Sequence, residues 1–341
     1  LPDQYPRLPA ANGARKFTEG PNLHDYLSYY HRSVSDYDCV IIGEADNVPL
    51  EHALRYFENG EMELMFTFDH MRADCIGTDF IRRRFSVKKF KRALSAWQNG
   101  LAGRAWNALY LENHDHPRVI SRYGSERYRV ESGKALAAAY MLLQGTPFIY
   151  QGQEIGMTNL RLPSADMYPD VQTRGMVKAA SRWLSPRRVL RLTQDAARDS
   201  SRTPMQWPSG KNAGFTEGEP WFFVNENART VNVEAEDADE DSLLNFYRAL
   251  IAFRKGEPII RYGSYTEHIP QSANFYVYSR EFEERRLLVI ASLVDKETYF
   301  TCPEGFNLVD GELIFKNYDL NVVVNNAFTA RPYELRVYLF E

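Results

Sequence analysis

Four short apolar runs, set among helix-like stretches, constrain this chain more than any other feature of its sequence. Cys39–Gly43 is a β-branched run without polar alternation, the pattern of a parallel strand buried on both faces. Leu64–Phe68, Ala108–Leu111 and Pro147–Tyr150 read as further strands. Between and around them, helical spacing predicts a helix from Pro21 and another over Val87–Leu101, with Phe90, Leu94 and Trp97 on one side. An Ala-rich helix follows over Gly133–Leu143, and a closing helix over Leu243–Arg254. This alternation is that of βα units around a parallel sheet.

Residues 1–20, rich in Pro, Gly and Asn, read as a loop. A long polar stretch at about 159–241 separates the fourth strand from its helix. It carries helical patches at Met176–Trp183 and Arg187–Leu192, so it reads as an inserted subdomain. The acidic run Glu234–Asp241 reads as a solvated lead into the next helix, since it lacks the Gly-punctuated loop of a calcium site. Past residue 256 the pattern changes to short strands at close spacing, Phe275–Tyr278, Arg286–Ile290 and Leu335–Leu339. The sequence thus predicts an α/β part over 1–256 and an antiparallel β-sandwich domain over 257–341.

A formal net charge of -4 over 341 residues gives no electrostatic reason to expect nucleic acid or an anionic membrane as partner. No apolar run approaches the ~18–20 residues that span a bilayer. The three cysteines, Cys39, Cys75 and Cys302, are scattered and lack zinc-ligand spacing, which predicts reduced thiols in a cytoplasmic protein. The opening Leu-Pro-Asp-Gln-Tyr-Pro has neither an initiator Met nor the features of a signal peptide, so a longer parent chain is expected.

Polar residues gather after the strands, where βα barrels carry their catalytic groups. Gly43-Glu44-Ala45-Asp46-Asn47 follows the first strand. A carboxyl at that rim, partly desolvated, suits a general acid, although capping a helix or pairing with an Arg accounts for it equally well. Glu112-Asn113-His114-Asp115-His116-Pro117-Arg118 follows the third strand and reads as a polar floor gripping a hydroxyl-rich ligand. No third-ligand pattern supports a metal there, and His116 reads as a solvent-facing or satisfied histidine. Arg198-Asp199-Ser200-Ser201-Arg202, inside the insertion, reads first as a tie between subdomain and barrel.

Taken in order, these segments resemble the α-amylase family, glycoside hydrolase family thirteen. They are Gly43–Ala45, Asn113–Asp115 with Pro117-Arg118, Gln151–Asn159, Arg202–Trp207 and Ala213–Thr216. Within it they are most similar to the oligo-1,6-glucosidase and maltase branch, along essentially the whole chain. The resemblance implies the second half of a (β/α)8 TIM barrel followed by the β-sandwich. It implies a retaining, exo-acting α-glucosidase acting on short oligosaccharides of the isomaltose, maltose and panose class. Glu44 then matches the acid/base, and Asp115 the carboxylate that holds sugar hydroxyls and stabilises the transition state. His114 matches a glucose-binding residue, Arg198 the Arg that closes the pocket behind the non-reducing glucose, and Arg118 a support at the rim. Glu154 falls in a matching motif, with a structural role at least as well supported.

The family's nucleophile belongs to a Gly-Phe-Arg-x-Asp segment, which this sequence lacks. The resemblance therefore implies that the N-terminal half of the same enzyme is a partner and that residues 1–341 alone are inactive. No cofactor or metal ligand is assigned to this chain, and calcium is left to that N-terminal part. Two other readings stay open: a transglycosylating relative of the sucrose isomerase type, and a non-enzymatic transporter heavy-chain ectodomain.

Overall fold

The computed structural model describes residues 20–76, 78–319 and 323–341, and of the loop expected over residues 1–20 all but the last residue lie outside them. The chain opens with α1 (Leu23–Val34), β1 (Ile42–Ala45), α2 (Leu50–Glu58) and β2 (Leu64–Thr67). A two-stranded hairpin, β3 (Cys75–Ile76) and β4 (Thr78–Arg82), precedes α3 (Val87–Leu101) and β5 (Trp106–Leu109). Then come α4 (Val119–Arg122), α5 (Arg129–Met141) and β6 (Thr146–Pro147). The insertion holds α6 (Val171–Ala180), α7 (Pro186–Ala196) and α8 (Val233–Ala238), and α9 (Leu243–Gly256) and α10 (Pro258–Tyr262) close the helical part.

Strands β1, β2, β5 and β6 form one parallel sheet in that order, each beside the strand that precedes it in the sheet. Crossovers that all advance in one direction are those of a barrel wall, whereas a doubly wound sheet reverses at a switch point. The sheet ends at β1 on one side and β6 on the other. This corrects the reading of Cys39–Gly43 as a strand buried on both faces. The strand begins at Ile42, and Val40 and Ile42 are 59% and 42% exposed, because among the described residues β1 has a sheet neighbour on one side only. By contrast the interior strand β5 is buried over Asn107–Leu109.

Helix α5 is buried nearly all round, the mark of a helix covered on every side. Its cover is the second sheet, built from β7 (Ser264–His268), β8 (Phe275–Phe282), β9 (Arg285–Ser292), β11 (Glu312–Lys316) and β13 (Leu335–Phe340). These run antiparallel in the order β11-β13-β9-β8-β7. Alternation along β8 sends Tyr276 and Tyr278 into the core shared with α5, and Phe275 and Val277 to the opposite face. There they meet Phe300 and Phe328 from a second small sheet of β10 (Thr298–Thr301) and β12 (Ala327–Ala330). That is a sandwich with one face docked on the helical part. Tyr278 of β8 secures the junction, its hydroxyl within hydrogen-bond reach of the Ala138 and Ala139 carbonyls of α5 at 3.2 and 3.3 Å.

The acidic run is not simply solvated. Glu236 is buried on α8, where its Oε1 lies 2.7 Å from Arg129 Nη2 and its Oε2 accepts from Leu243 N at 3.0 Å. A carboxylate over the first amides of α9 satisfies donors that the helix itself leaves open.

Candidate active site

Glu44 sits within β1, opposite Phe66 of β2, and past Ala45 the chain turns away from the sheet at Asp46-Asn47, with Asn47 at φ +62. Its side chain faces a cavity of about 250 Å³ that Asp46, Arg72, Asp115, His116 and Arg198 also border. The partial desolvation expected of Glu44 is not found; it is exposed, as the edge position of β1 dictates. The same cavity thus gathers Glu44, Asp115 and Arg198 from sequence positions far apart.

Asp115 follows β5 in a loop whose Asn113 side chain accepts from the Asp115 amide at 2.9 Å. Two guanidinium groups hold it. Arg198 Nη1 lies 2.7 Å and Arg202 Nη2 3.1 Å from Asp115 Oδ1. The same two arginines hold Asp170, with Arg198 Nε at 2.9 Å and Arg202 Nη1 at 2.7 Å. Two carboxylates and two arginines close into a ring, which fixes Asp115 as a charged acceptor. His114 stands beside it, Nε2 at 3.3 Å from Asp115 Oδ2, while its carbonyl accepts from Arg202 Nε at 3.0 Å. His114 is exposed and does not border the cavity.

Asp170 is absent from the sequence reading. It is the N-cap of α6, accepting from the amides of Gln172 and Thr173, and that local signal, an Asp just before a helical run, is legible. Its second function needs partners 28 and 32 residues away. Burial alone would raise its carboxyl, but hydrogen bonds from Arg198 and the Thr173 amide, together with Arg198 and Arg202 charge, hold it below the ordinary range. Asp199, between the two arginines in sequence, turns the other way and accepts from Thr173 Oγ1 and the Asp170 amide.

Arg118 corrects an expectation. It does not stand at the rim but is fully buried beneath it. Its Nη1 lies 3.1 Å from Glu112 Oε2 and donates to the Gln151 carbonyl at 2.6 Å, and its Nε donates to the Ser200 carbonyl at 3.3 Å. One side chain therefore joins the Asp115 loop, the segment after β6 and the Arg198–Arg202 turn. It cannot touch a ligand in the cavity; it positions those that can. Glu112, fully buried, also accepts from the Val119 amide at 2.6 Å, and its burial pushes its carboxyl up against the opposing pull of Arg118. Glu154 lies partly buried nearby, also pushed up by burial. His116 is likewise buried rather than solvent-facing, its Nε2 without a protein partner among the described residues, and burial pushes it well below the usual imidazole range.

Below the cavity lies a cluster that no sequence motif announced. Asp74 accepts from Arg122 Nε and Nη2 at 3.0 and 2.8 Å, and from Arg82 Nη1 at 2.7 Å. Burial would raise its carboxyl, but the Arg122 fork, aided by Arg82, brings it down to about 2. Since this lies below the ordinary 3.8, the stabilisation is complete above about pH 4 and is lost as pH falls toward 2. Acid titration of unfolding free energy is expected to show about 2 kcal/mol of loss in that window, and Asp74→Asn to flatten it.

Comparison with known proteins accounts for this arrangement. The model of the family "Alpha amylase, catalytic domain" matches residues 2–263. The oligo-1,6-glucosidase of Parageobacillus thermoglucosidasius is 38% identical over 99% of this chain and 62% of its own length. The trehalose-6-phosphate hydrolase of Bacillus subtilis (strain 168) is 37% identical over 98% of this chain and 61% of its own. Among solved structures, Bacillus licheniformis trehalose-6-phosphate hydrolase superposes with a TM-score of 0.90 at 35% identity, covering 97% of this chain and 61% of that one. The isomaltulose synthase SmuA from Protaminobacter rubrum gives 0.89 at 33%, covering 96% and 60%. The chain therefore spans about 62% of the length of the curated relatives it matches. Its parallel sheet is a portion of a TIM barrel, its antiparallel sheets the β domain that follows, and the chain belongs to the α-amylase family of glycoside hydrolases.

Proposed function

We propose that residues 1–341 carry the acid/base half of a retaining, exo-acting α-glucosidase for short, uncharged α-glucosides such as isomaltose or maltose. The observation that carries the reading is the ring of Asp115, Arg198, Asp170 and Arg202, of which Asp115 and Arg198 border the same cavity as Glu44. A carboxylate fixed by two arginines is a strong acceptor for the hydroxyls of a terminal glucose. Arg198 closes the cavity on that side, while His114, beside Asp115, does not border it. Glu44 protonates the glycosidic oxygen as an aspartate attacks the anomeric carbon. In the second step Glu44 takes a proton from water, which displaces the enzyme carboxylate and releases glucose. Double displacement needs two carboxyl groups ~5–5.5 Å apart.

The attacking aspartate is supplied from outside residues 1–341, by an N-terminal half that pairs with the open edge of β1. In this reading the barrel portion and the sandwich divide near residue 257, and the free thiols fit a cytoplasmic enzyme. An uncharged substrate is favoured because each arginine bordering the cavity already has a carboxylate partner: Arg72 with Asp46, Arg82 with Asp74, Arg198 with Asp115 and Asp170. The test is hydrolysis of 4-nitrophenyl α-glucoside by the intact polypeptide or the reassembled halves, and by residues 1–341 alone. Activity is expected in the first two and not in the third. Full activity of residues 1–341 would overturn the split site. Product analysis on isomaltose, maltose, sucrose and trehalose 6-phosphate decides the substrate; preference for the phosphorylated disaccharide, or isomerisation of sucrose, would overturn the assignment.

A further inference from the structure

A net charge of -4 conceals a local segregation of charge. Residues 171–194 carry Arg174, Lys178, Arg182, Arg187, Arg188 and Arg191, and no Asp or Glu. This stretch is the pair of helices α6 and α7, which pack on each other and are joined by residues 181–185. Each helix buries one stripe, Thr173, Met176 and Val177 on α6 and Val189, Thr193 and Ala196 on α7. All six basic side chains lie outside those stripes and are exposed. Arg191 approaches Asp195 only at 4.0 Å, and the other five have no carboxylate partner among the described residues.

These placements cost the helices and secure nothing within the chain. Arg174 with Lys178, and Arg187 with Arg191, are like charges at i,i+4, which repel each other. Arg187 and Arg188 stand in the first turn of α7, where the helix dipole disfavours positive charge and no acid offsets them. A face that only needs water is served as well by mixed charges. In the turn between the helices Trp183 projects, 87% exposed, with Leu184 beside it. The hairpin therefore ends in an apolar tip flanked in sequence by Arg182, Arg187 and Arg188.

We infer that this hairpin docks the protein on an anionic phospholipid surface. Its arginines meet lipid phosphates, and each basic residue held near an anionic leaflet strengthens association about fivefold. Trp183 enters the headgroup layer, the place indole rings favour in a bilayer. A nucleic acid would use the same charges, but Leu184 beside the indole gains nothing from a sugar-phosphate backbone, whereas the acyl boundary buries it. No helix among the described residues is long and apolar enough to cross a membrane, so the contact is peripheral. Gln172, in the first turn of α6, borders the cavity of Glu44 and Asp115, and the tip lies about 15 Å further along that helix. Docking at the tip does not occupy the cavity.

The experiment sediments the intact polypeptide with vesicles of phosphatidylcholine, alone or with about one-third phosphatidylglycerol, at roughly 0.1 M salt. Association is expected with the anionic vesicles only, and to be lost at about 0.5 M salt. Arg182→Gln, Arg187→Gln and Arg188→Gln together are expected to weaken it about 100-fold. Their urea midpoint is expected not to fall, because the charges removed oppose their own helix. Trp183→Ser is expected to weaken association severalfold and to remove a blue shift of tryptophan emission that anionic vesicles induce. No association with anionic vesicles, or one that these variants leave unchanged, would overturn the inference and leave the hairpin a solvated face. Duplex DNA serves as the control polyanion. Association with it and not with the vesicles would overturn the inference in favour of nucleic acid.

Discussion

Glutamine in place of Glu44 is expected to lower kcat on isomaltose by about 10²–10⁴-fold, the range that a positioned general acid–base contributes. The amide keeps the size of the carboxyl but has no proton to give the leaving oxygen and cannot take one from water. The two steps are affected unequally. With 4-nitrophenyl α-glucoside the departing phenolate is already a good leaving group, so the first step survives while the second, which needs the base, stalls. A burst of nitrophenol followed by slow turnover is the expected trace. Folding free energy is expected to move within about 0.5 kcal/mol, because Glu44 is exposed. Unchanged hydrolysis of isomaltose would remove Glu44 from this role.

What the sequence disclosed and what it withheld divide along chain distance. Helix α3 is read with its own bounds, Val87–Leu101, because Phe90, Leu94 and Trp97 repeat at helical spacing and Ser86 caps it. The four parallel strands are found for the same local reason. The first starts three residues late, the third two residues early, and the fourth shares only Pro147 with β6, since an apolar run alone neither fixes a strand's ends nor tells an edge strand from an interior one. The site residues on strand ends were legible as polar clusters, yet their geometry was not. Arg198 meets Asp115 across 83 residues, and Arg122 meets Asp74 across 48. No periodicity encodes such pairs. For the same reason Arg118, which the resemblance set at the rim, turned out to be an internal strut, and Glu236 to be a buried cap.

That strut carries the largest expected effect on stability. Arg118→Met is expected to cost about 3–5 kcal/mol, measured by urea unfolding at pH 7, because it leaves the carboxylate of Glu112 buried without a counter-charge. Burial already pushes Glu112 above its usual value of 4.5, with Arg118 opposing. Without Arg118 that upward push is unchecked, so the variant's deficit is expected to grow as pH rises and to shrink below about pH 4.5. Arg118→Lys keeps the charge but not the fork. It cannot serve Glu112, Gln151 and Ser200 together, so the loops bearing Asp115 and Arg198 are expected to loosen, lowering kcat/KM more than stability. Glu112→Leu combined with Arg118→Met separates the causes. If the stranded carboxylate is the main cost, the double variant regains most of the lost stability, since an apolar pair of similar volume replaces a buried ion pair at little cost. If it stays as unstable as Arg118→Met, the bonds to the Gln151 and Ser200 carbonyls are what hold the floor of the site together.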